Sequence, residues 1–221
     1  LIHTIENPAK GAMLTYKDKS DDIANGFNKY TVVVSNASGA GRVVERDVYI
    51  GYDLPRAPQN IKLVDNFDGT ALLSWDSPGI KGVNDGYVDE SELTYNVFSV
   101  QGESVSTFRT GVTERSLDIT DVPQTGEQSL FYFLLKASSS VGESKIGRSP
   151  WIIAGSPYTL PFHEGFPGGN IENGFWTRDK AGKNNIEIVN ETSSDNDGGC
   201  LKFLADKCGE SASISSGKID L

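Results

Sequence analysis

The side chains that most often carry proton, metal or nucleophile chemistry are sparsely placed in this 221-residue chain. Its two histidines, His3 and His163, lie far apart and without neighbouring cysteines, which leaves little for a histidine-based zinc site. The only cysteines, Cys200 and Cys208, flank Leu201-Lys202-Phe203-Leu204. Nucleophilic cysteine chemistry needs a paired base, and His163 is the only nearby candidate, so catalysis is not expected. In an oxidising compartment a hairpin would bring the two thiols within disulfide reach; two buried free thiols fit the sequence equally well. The loop from Asp76 to Glu92 is the densest acidic stretch, with Asp76, Asp85, Asp89, Glu90 and Glu92 against Lys81 alone. Clustered oxygens beside Gly82 and Gly86 suit calcium, but the spacing does not match an EF-hand, and a solvated loop is the simpler reading. Phe166, Phe175 and Trp176 sit in glycine-rich sequence; Trp176 and Phe175 are candidates to stack on a sugar, with core packing as the default. Asn36-Ala37-Ser38 and Asn190-Glu191-Thr192 match the glycosylation sequon, which matters only in a eukaryotic secretory host.

The charge balance narrows the classes of partner. Thirty Asp and Glu oppose 20 Lys and Arg, a net charge of −10, which argues against a nucleic-acid surface. With 37% hydrophobic and 23% charged residues the chain has a globular composition. No apolar run approaches the roughly 18–20 residues that a membrane helix needs, so no membrane insertion is expected within these residues.

These residues must be positioned by something, and the chain's apolar pattern says what. Sliding the chain along itself by 142−39 = 103 residues superposes Gly39 on Gly142, Thr4 on Thr107, Leu14 on Leu117, Asp18 on Asp121 and Ile50 on Ile153. Tyr30 falls on Phe133 and Arg42 on Lys145. A single gapless shift implies two copies of one fold, so residues 1–53 and 104–156 are expected to align strand for strand. Residue 1 then falls mid-domain, and the natural protein is expected to continue upstream. Within the repeat, apolar residues alternate: Phe131, Phe133, Leu135 and Ala137 on one side of a strand, and Ala71, Leu73 and Trp75 on one side of another. Period-two alternation broken by turns such as Asn66-Phe67-Asp68-Gly69 and Ser77-Pro78-Gly79 reads as about seven short antiparallel strands, a β-sandwich.

The stretch Ala57-Pro58-Gln59-Asn60-Ile61-Lys62-Leu63, followed by Asp68-Gly69-Thr70-Ala71-Leu72-Leu73-Ser74-Trp75, resembles the first two strands of a fibronectin type III domain, with Trp75 as its core tryptophan. The run from Phe131 through Ala137 and Ser139 to Gly142 and Ser144 resembles the sixth strand and its turn. The tyrosine expected to open that strand is Asn28 in one copy and Phe131 in the other, a departure that removes the usual tyrosine-corner hydrogen bond. The resemblance covers residues 1–53 as the second half of one domain and 54–155 as a complete one.

Beyond Gly155-Ser156-Pro157 the repeat stops. Leu160-Pro161-Phe162-His163-Glu164-Gly165-Phe166, Gly174-Phe175-Trp176-Thr177, Asp197-Gly198-Gly199-Cys200-Leu201-Lys202-Phe203 and the stretch from Ala212 to Leu221 resemble, in order and spacing, the opening of a MAM-like or cleaved-adhesin jelly roll of secreted bacterial surface proteins. That resemblance implies a structural calcium between Glu164 and the loop carrying Asp195 and Asp197, although Asp195-Asn196-Asp197-Gly198 is also an ordinary turn. The expected architecture is all-β: tandem immunoglobulin-like (fibronectin type III) sandwiches leading into the start of a jelly-roll β-sandwich at 156–221. The resemblance implies a non-enzymatic, extracellular or cell-surface adhesion or recognition protein, with the sandwiches as spacers, the jelly roll as the binding module and a glycan or cell-surface protein as the partner. The second reading is a non-catalytic accessory region of a secreted hydrolase, and a third is a purely structural stalk.

Overall fold

The computed structural model describes all residues except 22, 172–173, 181–184, 192–198 and 205–207. Strands dominate, and among the described residues helix is confined to single 3-10 turns at Glu90–Glu92 and Pro167–Gly169. The first module is built from β1 (Gly26–Val32), β2 (Ser35–Asn36), β3 (Gly39–Ala40) and β4 (Val44–Ile50). β1 and β4 pair antiparallel from Gly26↔Ile50 to Val32↔Val44, and β2 and β3 close the hairpin tip. The pairing puts Tyr30, Val32, Val44 and Val48 on one face, and the other face carries a Lys29–Glu45 ion pair.

The second module is a complete sandwich. β5 (Gln59–Asp65), β6 (Ala71–Asp76) and β9 (Ser116–Ile119) form one sheet in the order β5-β6-β9. β7 (Thr94–Gln101), β8 (Ser104–Val112), β10 (Ser129–Ser139) and β11 (Gly142–Glu143) form the other in the order β11-β10-β7-β8. The short strands β12 (Gly147–Arg148) and β13 (Ile152–Ala154) also pair with β10. Alternation predicts the inward faces: Leu63, Ala71, Leu73, Trp75 and Ile119 from the three-stranded sheet meet Tyr95, Val97, Phe131, Phe133, Leu135 and Ala137 from the other. Trp75 lies edge-on to Tyr95, with ring centroids 5.3 Å apart. Three strands facing four, with these neighbours, is the seven-stranded sandwich of the fibronectin type III-like class.

From β1 onward the 103-residue repeat holds up to the last strand and then fails by one residue. Asn36↔Gly39 is matched by Ser139↔Gly142, and Val32↔Val44 by Leu135↔Gly147. The bond from the Gly41 amide to the Val34 carbonyl recurs from Ser144 to Ala137. Beyond this point Gly26 pairs with Ile50, whereas Ser129 pairs with Ala154, one residue past the expected Ile153. The cause is Pro150, which has no N–H for the ladder. Ser149 covers the break: its hydroxyl accepts from the Phe133 amide and donates to the Pro150 carbonyl. A second correction concerns residues 1–25, whose described part forms no strand, although the matching 104–128 contains β8 and β9.

In the C-terminal region, β14 (Trp176–Lys180) pairs with β17 (Ala212–Ser216), and β15 (Asn185–Val189) pairs with β16 (Cys200–Leu204). The β15–β16 pair is thus nested within the β14–β17 pair in chain order.

Candidate functional site: two polar clasps at the module junctions

The loop from Asp76 to Glu92, expected as solvated surface, is half-buried, and a single carboxylate organises it. Asp53, in the linker after β4, is only 1% exposed. Its Oδ2 accepts from the backbone amides of Asn84 at 2.6 Å and Gly86 at 3.2 Å. Its Oδ1 accepts from the Asn84 side-chain amide at 3.0 Å and the Leu54 backbone amide at 2.8 Å. Burial pushes this carboxyl's pKa up, but the bonds from Asn84, Leu54 and Gly86 outweigh it and hold the group below its ordinary value. An ionised carboxylate with four donors is how a charge is kept inside a protein without a counter-ion.

The backbone repeats the attachment. The Asp53 amide donates to the Tyr87 carbonyl and the Tyr87 amide to the Gly51 carbonyl, while the Val83 amide donates to Leu54. Linker residues 51–54 therefore run beside the loop, with an isolated parallel bridge between Tyr52 and Tyr87, and Pro55 behind them is fully buried. The close approach accounts for Gly82 and Gly86. A Cβ at Gly82 would sit 2.6 Å from Asp53, and one at Gly86 would sit 2.5 Å from the Tyr49 ring of β4. Arg56 adds bonds from Nε to the Gly82 carbonyl and from a terminal nitrogen to Asp85, an exposed pair worth only about 0–1 kcal/mol.

A second clasp closes the opposite end of the sandwich. Gln128, just ahead of β10, is 7% exposed. Its Nε2 donates to the carbonyls of Ser156 and Lys218, each at 2.9 Å, and its Oε1 accepts from the Lys218 amide at 2.7 Å. Residues 217–220 are thereby tied to the sandwich, and they bond in turn to Phe175 and Tyr158. Gly155 has φ +103, and a Cβ there would meet the Glu127 carbonyl at 2.6 Å, so this linker too depends on a glycine.

The residues singled out from sequence fall elsewhere. Glu164 accepts from the Phe166 amide at 2.9 Å, and Gly199 packs against the carbonyls of Gly165 and Phe166, so the stretch of Glu164 does meet the one entering β16. Asp195 and Asp197 lie outside the described residues; among the described residues no three His, Cys, Asp or Glu converge as metal ligands. Trp176 packs against Phe166 at 5.4 Å and Phe162 at 6.5 Å, in an aromatic cluster that Tyr158 extends. Phe175 accepts a backbone bond from Gly217. Cys200 opens β16 and Cys208 is exposed; both are free thiols. Asp53 and Gln128 were missed, because one isolated acid and one amide carry no motif.

No family model matches this chain, and no curated protein matches it. Solved structures do. A Fn3-like protein from Clostridium thermocellum aligns at 25% identity over 48% of this chain and 96% of its own, with a TM-score of 0.31. The FN5 domain of Drosophila Lar aligns at 16% identity over 47% and 98%, with a TM-score of 0.32. Domains d3-d4 of the rat CD45 extracellular region align at 12% identity over 68% and 86%, with a TM-score of 0.35. Strand order and core residues define the sandwich. No helix among the described residues is long and apolar enough to cross a membrane.

Proposed function

We propose that this chain is a non-enzymatic extracellular adhesion or recognition protein, in which fibronectin type III-like sandwiches are spacers that hold the C-terminal module towards a glycan or cell-surface protein. The observation that carries the spacer reading is the pair of clasps. A spacer with free linkers presents its cargo in all directions, whereas Asp53 and Gln128 tie both ends of the sandwich to what adjoins them. Relative motion of modules is the default where contacts are small and polar, and a buried carboxylate that bonds linker to loop opposes it. In this reading residues 1–53 are the second half of a fibronectin type III-like sandwich, with Val32, Val44 and Val48 on its apolar face. The nested pairing of β14 with β17 and β15 with β16 supports residues 156–221 as the start of a jelly roll. A structural calcium on Glu164 with Asp195 and Asp197 belongs to the same proposal, as does a Cys200–Cys208 disulfide in an oxidising compartment.

Screening the whole chain against immobilised glycans and cell-surface proteins tests the recognition role. Binding that Trp176→Ala or removal of calcium abolishes would support the C-terminal module as the reader. Hydrolysis of a bound glycan or peptide would overturn the non-enzymatic reading.

A further inference from the structure

The junction that Asp53 holds also carries exposed aromatic surface. Tyr52 from the linker and Tyr87 from the loop are joined by a parallel bridge, with ring centroids 5.5 Å apart and planes at 57°. The two residues are 57% and 49% exposed. Gly86 and Val88 on either side of Tyr87 are buried, so alternation turns Tyr87 outward and Asp89 after it to the same side. Glu92 follows on the exposed 3-10 turn. The charge of Asp89 first, then burial, Tyr52 and Glu92, push the Tyr87 phenol up.

Lys81 pairs with Tyr87 in a second, antiparallel bridge, and Asp89, Glu90 and Glu92 of the same loop outnumber it. Two aromatic faces beside this net negative charge favour one chemistry. The face of a ring is the negative pole of its quadrupole and attracts an ammonium or guanidinium, and the carboxylates add charge of the same sign. A second copy of this chain is disfavoured as the occupant by its own net charge of −10. We propose that Tyr52 and Tyr87, with Asp89 and Glu92, form a docking surface for a basic segment of a partner protein, taking a Lys or Arg side chain against the rings. The backbone pairing that Asp53 secures pre-sets the two rings, so little ordering is required on binding. This surface lies at the first junction and does not depend on the C-terminal module's being a binding module.

The test follows the resonances of Tyr52 and Tyr87 in the whole chain at low salt during titration with three probes. They are a peptide bearing several Arg and Lys, its counterpart with Glu at those positions, and a neutral oligosaccharide. The basic peptide alone is expected to shift both rings. Tyr87→Ala should weaken it by about three- to tenfold, a factor consistent with one exposed cation–π contact plus local packing. Tyr87→Phe, which keeps the ring, should bind normally, and Glu92→Gln should bind more weakly. Tyr52→Ala gives a second route if Tyr87→Ala moves the Asn84 and Gly86 amides. Undiminished binding of the basic peptide by both alanine variants, no response to it, or ring shifts with the oligosaccharide alone would overturn the proposal.

Discussion

Asp53 and Asn84, 31 residues apart in sequence, are joined by two hydrogen bonds that engage both oxygens of one buried carboxylate. The backbone amide of Asn84 donates to Oδ2 and its side-chain amide to Oδ1, so the linker and the loop are fixed in translation and in rotation. Tyr49 of β4 closes on Gly86 of the same loop, which carries the constraint into the first module.

Replacing Asp53 by alanine leaves the amides of Asn84 and Gly86 buried without their acceptor. The expected loss is about 1–3 kcal/mol for the junction, from the cost of unsatisfied buried donors. Asp53→Asn, which keeps one acceptor oxygen, should fall between alanine and the parent. Chemical denaturation reads this directly, and a midpoint unmoved in the alanine chain would mean that the carboxylate holds nothing.

Acid should open the same junction. The folded-state pKa of Asp53 lies below its ordinary 3.8, so its contribution is complete above the unfolded value and fades as pH falls through the folded one. Asn84 and Gly86 amide shifts followed from about pH 6 down through and below the ordinary carboxylate range should be flat at first and then move together. Asp53→Asn should remove that transition. A parent transition that survives in this variant would assign it to another group.

Gln128→Ala should free the C-terminal segment without unfolding the sandwich. The Lys218 amide loses its acceptor, and its hydrogen exchange should accelerate by about tenfold or more, the factor that about 1.4 kcal/mol of lost protection gives. The amides of Phe133 and Leu135 in the core should exchange as before. Unchanged protection at Lys218 would place the clasp elsewhere.

Trp75→Ala should cost the sandwich roughly 3–5 kcal/mol, the usual cost of removing a buried large aromatic. Trp75→Phe keeps a ring against Tyr95 and should cost clearly less than the alanine change. Equal midpoints for the two variants would show that the indole nitrogen matters more than the ring.

The fold was legible where burial enforces alternation. Every second residue from Phe131 to Ala137 is buried, as their spacing predicts, because a one-residue slip would turn the whole set to solvent. The same periodicity missed the slip at Pro150, where a side-chain hydroxyl takes over from the ladder. The clasps were not legible for a different reason. Asp53 and Asn84 are ordinary linker and turn residues until the chain folds back, and the glycines flanking Asn84 read as metal-loop or turn residues when they serve close approach. The acidic loop kept its charge in plain view, yet the residue that organises it lies outside it.

Residual dipolar couplings on the whole chain test most directly whether the Asp53 clasp makes the β1–β4 hairpin and the sandwich one body. One alignment tensor should fit the amides of β1, β4 and β5 to β13 together, and Asp53→Ala should require two. Two independent tensors in the parent chain would contradict the account.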